Sequence, residues 1–398
     1  MVFRFSCLPQ CSTKNMFYML FSISLYVILH VWTLQHTLNY GDNRNSDISA
    51  IKLENYRLNP MTSLPHKRMK YILLWNNHYL FLNEKNESIF PSLNCSVKSC
   101  FFTNDKKMLG DYTKFNAVVF SEKILKSKDR PKERKPSQLF VFTTQESSYN
   151  YAACELYNDN FFNWTFTYRL DSDILWNYFV VRDASGEIVA PSADVEWDES
   201  SRPLKPKLKS ILHRKRKAAA WIVSNCFADS LRDDYLMVLQ YHLSHFSLKI
   251  DVYGHCSKVD CTNNDCNDML TQNYHFFMAF ENSLSEDYVT EKVLHGYLNY
   301  AVPVVYGGAN YTRFLPRGSY INAREMHPYN LAFAIYEATQ KPSVFESYFE
   351  WTNLYTIHAL GNTYHPLCEL CEALNDKITE TPAIENFRVW WNTPNGMK

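Results

Sequence analysis

Short apolar runs that stop abruptly at polar residues recur through most of this chain, and few folds can use them. In the first half they are "KYILLWN" (Lys70 to Asn76), "KFNAVVFS" and "QLFVFTTQE". In the second half they are "AAWIVSN", "LKIDVYGHC", "YHFFMAFEN" and "AVPVVYGG". Runs of this length without polar alternation predict strands buried on both faces, as in parallel sheets. Helical patterns separate the later runs, with "LRDDYLMVLQYHL" amphipathic and "SEDYVTEKVLHGYLNY" following the third. Alternating β and α predicts an α/β protein with two doubly wound, Rossmann-like domains facing a cleft. A length of 398 residues also exceeds one ordinary core.

The expected boundaries follow from composition. Residues 1–15 form a cytosolic tail, and "MFYMLFSISLYVILHVWTL" (Met16 to Leu34) is long and apolar enough for one transmembrane signal anchor. Arg4 and Lys14 precede it and no basic residue follows until Arg44, which orients the rest into a lumen. A cleaved signal peptide is the rival, but no small-x-small cleavage site follows the run. Residues 35–69 read as a polar stem and 70–199 as an N-terminal domain. The charged stretch 200–217 reads as a solvated linker, 218–350 as a C-terminal domain, and 351–398 as a helical segment holding a C-x-x-C.

A lumenal address, hence Golgi membrane with single-pass type II topology, agrees with sequons at Asn86, Asn94, Asn163 and Asn310. Eleven cysteines are present, and Cys7 and Cys11 precede the apolar run. Local disulfides are expected for Cys95 with Cys100, within the group Cys256, Cys261 and Cys266, and for Cys368 with Cys371. A zinc site at "CELC" would want a second close pair. An odd lumenal count leaves Cys154 or Cys226 as a free or interchain thiol, which would permit a homodimer. Lys+Arg and Asp+Glu are equal at 41 each, so no nucleic-acid partner is indicated.

Chemistry concentrates in "FENSLSEDYVTEKV" (Phe280 to Val293). Ser283 and Glu286 fit a capping box, and Tyr288, Glu291, Lys292 and His295 would share one helix face. That face would start at the C-terminal edge of a parallel sheet, where open α/β folds bind phosphate-bearing ligands. A solvated face with an ordinary ion pair is the plain alternative.

The longer run "FENSLSEDYVTEKVLHGYLNYAVPVVYGGANYTRFLPRGSYI" resembles the donor-binding signature of the α1,3/4-fucosyltransferase family, and "FNWTFTYRLDSDI" resembles its N-terminal block. The resemblance covers most of the chain from about Tyr71. It implies a GT-B-type, inverting transferase that moves L-fucose from GDP-fucose to the 3-hydroxyl of N-acetylglucosamine in a glycan. On it, Lys292 and Arg232 would neutralise the departing GDP, Glu291 would accept hydrogen bonds from fucose hydroxyls, and Asn282 and Tyr288 would contact nucleotide or fucose. Glu146, at the end of "QLFVFTTQE", would be the general base, with no metal required and a divalent ion at most stimulatory.

Two departures stand out. The family block commonly runs into Pro-Tyr-Gly after D-S-D-I, whereas here Trp176, Asn177 and Phe179 follow, and Ser148 replaces the usual Pro after Glu-Ser. They leave open a lectin-like Golgi protein that binds GDP-fucose with weak or no turnover. Asp171 and Asp173 also invite an Asp-x-Asp reading, that of a metal-dependent glycosyltransferase.

Overall fold

The computed structural model describes residues 69–76, 89–121, 127–200, 202–257, 259, 263–360, 365–376 and 381–393. The tail, the apolar run 16–34, the stem before residue 69, Asn86 and Cys261 lie outside these residues. No helix among the described residues is long and apolar enough to cross a membrane. Residues 70–398 pack as one compact unit that contains both expected sheets.

The first sheet has six parallel strands in the order β2-β1-β3-β4-β5-β6. They are β1 (Lys70–Leu74), β2 (Cys100–Thr103), β3 (Ala117–Ser121), β4 (Leu139–Thr144), β5 (Trp164–Thr167) and β6 (Ile174–Leu175). The second sheet has five parallel strands in the order β10-β9-β11-β12-β13. They are β9 (Lys217–Ile222), β10 (Ile250–Tyr253), β11 (Tyr274–Phe280), β12 (Val302–Tyr306) and β13 (Ile321–Asn322). Each sheet places its second strand outside its first and its third strand on the other side. The order therefore reverses between β1 and β3, and again between β9 and β11. Connections leave in opposite directions at such a point, which opens a crevice at the carboxyl ends of the strands.

Side-chain alternation accounts for the packing. Phe276, Met278 and Phe280 of β11 face a core with Leu239, Leu243, Leu331 and Ile335. Those residues come from α3 (Arg232–Ser244) and α6 (Pro328–Gln340). Phe277 and Ala279 face the other side, against Val293 and Leu294 of α5 (Lys292–Tyr297) and Leu270 of α4 (Asn263–Asn273). Every residue of β11 is buried, as its unbroken apolar run requires.

Four expectations are corrected here. The stretch 200–217 is not a solvated linker, because Leu204 and Leu212 enter a core and Lys215 is 2% exposed. The Lys215 ammonium donates to the carbonyls of Leu270, Thr271 and Asn299, and burial lowers its pKa to about 7. The helix expected from Ser285 spans only Lys292–Tyr297, so Ser283 and Glu286 cap nothing. The cysteines pair across the chain: Cys95 with Cys368, Cys100 with Cys371, and Cys226 with Cys256. Local pairing of Cys95 with Cys100 and of Cys368 with Cys371 fails because α8 (Pro366–Asp376) returns to the first sheet, where Leu367, Leu370 and Leu374 pack on Ile72, Leu74 and Val119. Cys154 and Cys266 are also disulfide-bonded, so neither proposed free thiol is free and that argument for a dimer falls.

The chain's end also crosses between the halves. β14 (Tyr355–Ala359) pairs antiparallel with β7 (Phe179–Asp183), which pairs with β8 (Ile188–Ala190). Phe387 and Trp391 of α9 (Phe387–Asn392) close the other face of the first sheet against Phe140 and Phe142.

Candidate active site

β11 ends at Phe280, and the next residue continues the ladder through Glu281 N–H to the Tyr306 carbonyl at 2.8 Å. That register aims Glu281 into the interior at the switch point, 1% exposed. Its Oε1 accepts from Thr290 N–H and the Thr290 hydroxyl, and its Oε2 lies 3.0 Å from Lys292 Nζ. Lys292 Nζ also donates to Thr290 Oγ1 at 2.8 Å and lies 3.6 Å from Glu291 Oε1. Burial works against the Lys292 ammonium, but Glu281 and Glu291 outweigh it, so its pKa is raised and the charge is held. The segment 281–291 reaches this geometry by crossing Gly308, where a Cβ would meet the Leu284 backbone at 2.6 Å.

Arg232 opens α3 beyond the other strand of the switch point, β9. Its side chain is 3% exposed and donates to the Phe280 carbonyl at 2.6 Å and the Asn225 carbonyl at 2.9 Å. Its Nε is buried without a hydrogen-bond partner. Burial is the largest influence on the guanidinium and lowers its pKa. The Cys226–Cys256 bridge ties the loop carrying Asn225 to the loop after β10. Asn282 holds the same region from the other side, because its carbonyl accepts from Ser230 N–H.

Glu146 stands beyond the carboxyl end of β4, partly exposed. Its Oε1 accepts from Ser147 N–H at 2.8 Å, Asn150 Nδ2 at 2.9 Å and the Tyr288 hydroxyl at 3.0 Å. The last contact joins the first sheet to the segment that carries Lys292. Tyr288 is 3% exposed, with its ring edge-on to Tyr168 and Tyr178. It therefore lies under the site and not on the shared helix face expected from spacing. Tyr178 reports the convergence of charge. After burial, the carboxylates of Glu291, Glu281 and Glu146 are what push its hydroxyl well above the ordinary range.

Glu146 thus stands at the carboxyl end of β4, in contact with Tyr288, while Arg232, Asn282, Glu291 and Lys292 stand around the carboxyl end of β11. Glu291 is the most open of the three carboxylates, at 54% exposure, and borders a pocket with Asn267, Leu294 and His295. Sequence reasoning missed Glu281, although it stands in the quoted "FEN"; only tertiary contact reveals it as the partner of Lys292. Tyr178 was missed in the same way, inside the departing loop. Trp176 from that loop is buried and packs on Phe166.

Two other groups of candidates take different roles. Asp171 forms a bidentate pair with Arg169 and accepts from Trp390 Nε1, and Asp173 accepts from Thr165 N–H and its hydroxyl. Both carboxylates are committed to protein partners, so they do not form an open chelating pair. Among the sequons, Asn94 and Asn310 are exposed. Asn163 is 6% exposed, its Nδ2 donates to the Thr381 carbonyl, and its Oδ1 accepts from Phe140 N–H.

The chain is similar to known proteins along most of its length. Glycosyltransferase family 10 (fucosyltransferase) C-term matches residues 212–390, and Fucosyltransferase, N-terminal matches residues 67–179. Alpha-(1,3)-fucosyltransferase C of Drosophila melanogaster is 34% identical over 315 residues, covering 77% of this chain and 72% of that protein. Alpha-(1,3)-fucosyltransferase 4 of Homo sapiens is 30% identical over 281 residues, covering 69% and 48% respectively. A crystal structure of an α1,3-fucosyltransferase shares the fold, with a TM-score of 0.51 at 16% identity over 82% of this chain and 95% of that one.

Proposed function

Because this chain belongs to glycosyltransferase family 10, the fucosyltransferases, we propose that its crevice moves L-fucose from GDP-fucose onto the 3-hydroxyl of an N-acetylglucosamine in a glycan, forming an α1,3 linkage. The reaction inverts the anomeric carbon. The acceptor hydroxyl attacks the fucose C1 as Glu146 takes its proton, while the bond from C1 to the β-phosphate oxygen breaks and both electrons leave with GDP. Lys292 faces the charge that develops on the diphosphate, and the unpartnered Arg232 Nε is a donor suited to the same anion. Glu291, the most exposed of the three carboxylates, accepts from fucose hydroxyls.

The observation that carries this reading is the Tyr288–Glu146 hydrogen bond, which holds a carboxylate of the first sheet against the cationic segment of the second. An inverting displacement needs that opposition of base and leaving-group cation. The paired parallel sheets, each reversing order beside the crevice, support a two-domain GT-B-type arrangement. The commitment of Asp171 and Asp173 to internal partners supports a donor site without an essential metal; activity abolished by chelator and restored by a divalent ion would sink that part. The apolar run at 16–34, the bridged cysteines and the exposed Asn94 and Asn310 support a Golgi membrane protein of type II topology.

The test is GDP release from GDP-fucose by the purified protein with and without an N-acetylglucosamine-containing acceptor. Acceptor-dependent release is expected. Glu146→Gln should cut turnover by roughly two to four orders of magnitude and leave GDP affinity nearly intact. Donor binding with no acceptor-dependent release would favour the lectin-like alternative.

A further inference from the structure

Glu146 is not held by its own strand alone. The donor segment touches the base segment at successive points: Ser285 Oγ accepts from Tyr149 N–H at 3.3 Å and lies 3.5 Å from Ser148 Oγ. Asp287 Oδ2 accepts from Leu170 N–H at 3.0 Å, and the Tyr288 hydroxyl reaches Glu146 Oε1 at 3.0 Å. Tyr168, edge-on to Tyr288, accepts from Ser148 N–H through its hydroxyl at 3.1 Å. The two segments are thus laced along their length, and the carboxylate sits in the lacing.

Among the described residues, every hydrogen bond to that carboxylate falls on one oxygen, from Ser147, Asn150 and Tyr288. A carboxylate oxygen carries about two lone-pair sites, so three donors saturate Oε1 and leave Oε2 as the basic oxygen. We propose that Tyr288 and Asn150 are positioning residues for the base: by occupying Oε1 from opposite segments they fix the carboxylate plane and make Oε2 the atom that takes the acceptor's proton. Tyr288 then acts through Glu146, and not chiefly as a contact to nucleotide or fucose. The same segment that presents Lys292 to the leaving group also sets the base. This inference rests on the fucosyl-transfer reading above and specifies its geometry.

The experiment is a double-mutant cycle on the full chain with labelled GDP-fucose and an N-acetylglucosamine-containing acceptor. Tyr288→Phe keeps the ring contacts and removes only the hydroxyl, and Asn150→Ala tests the second donor independently. Each should lower kcat by about tenfold or more, the loss typical of a misplaced catalytic group, with GDP affinity and the KM for GDP-fucose within about twofold. In the Glu146→Gln background each should lower kcat by less than about twofold, because the group being positioned is already disabled. Equal losses in both backgrounds, or a tenfold weaker GDP affinity in Tyr288→Phe, would overturn the inference and return Tyr288 to direct donor contact. A wild-type protein without acceptor-dependent transfer would instead bring down the transferase reading on which it stands, and a Glu146→Gln variant as active as wild type would overturn Glu146 as the base and this inference with it.

Discussion

Lys292 Nζ rests 3.0 Å from Glu281 Oε2, and that carboxylate is 1% exposed at the end of the most buried strand of the second sheet. Removing either partner strands the other's charge in a site with little water. Lys292→Met should therefore destabilise the protein by roughly 3–5 kcal/mol as well as weaken GDP-fucose binding. The double variant Glu281→Gln/Lys292→Met should recover most of the melting temperature while remaining inactive. Thermal unfolding and donor titration of the three variants separate the structural effect from the catalytic one. Full loss of donor binding with an unchanged melting temperature in Lys292→Met would contradict the buried pairing.

Asp287 gives a pH signature. It is 1% exposed, its Oδ1 lacks a hydrogen-bond partner, and burial raises its pKa to about 6. A carboxyl raised above its unfolded value favours the fold while protonated, and that contribution is lost as pH climbs from about 4 through about 6. Asp287→Asn should keep the acceptor for Leu170 N–H and tolerate the left-handed backbone at φ 54. It should raise stability at pH 7.5 by roughly 1–3 kcal/mol and change little at pH 4. Paired melting curves at the two pH values check this; an equal gain at both would show that ionisation is not the cause.

The bridges Cys95–Cys368 and Cys100–Cys371 close loops of 273 and 271 residues and fasten α8 to the first sheet. Breaking one by Cys100→Ser/Cys371→Ser should cost roughly 2–5 kcal/mol, chiefly by freeing the unfolded chain. A non-reducing peptide map should join the Cys95 peptide to the Cys368 peptide. Finding Cys95 linked to Cys100 would restore the local pairing expected from spacing.

Asn163 should carry no glycan, because its amide nitrogen already serves the Thr381 carbonyl inside the fold. Mass mapping should find the Asn163 peptide unmodified. Asn163→Ala should lower the melting temperature without lowering the protein's glycan mass, since Phe140 N–H would lose its acceptor. A glycosylated Asn163 peptide would refute this.

Much of the architecture was open to inspection in one dimension. Parallel strands buried on both faces need unbroken apolar runs, and those of β1, β3, β4, β9, β10, β11 and β12 can be read directly from the chain. The residue types of the crevice were readable too, since Glu146, Arg232, Glu291 and Lys292 stand at polar ends of those runs or match a long family signature. What local pattern could not reveal was which distant groups meet. Cysteine spacing suggested neighbours, but hydrophobic closure by α8 decided the bridges. Helical periodicity put Tyr288 beside Lys292, but the segment folds into turns because its polar groups find partners across the crevice. Glu281 looked like one more polar residue after a strand, and only the crossing of 281–292 over Gly308 made it the counter-ion of Lys292. Burial, strand placement and residue chemistry are local properties of the amino-acid order. Pairing depends on the free energy of bringing remote surfaces together, and that was decided in three dimensions.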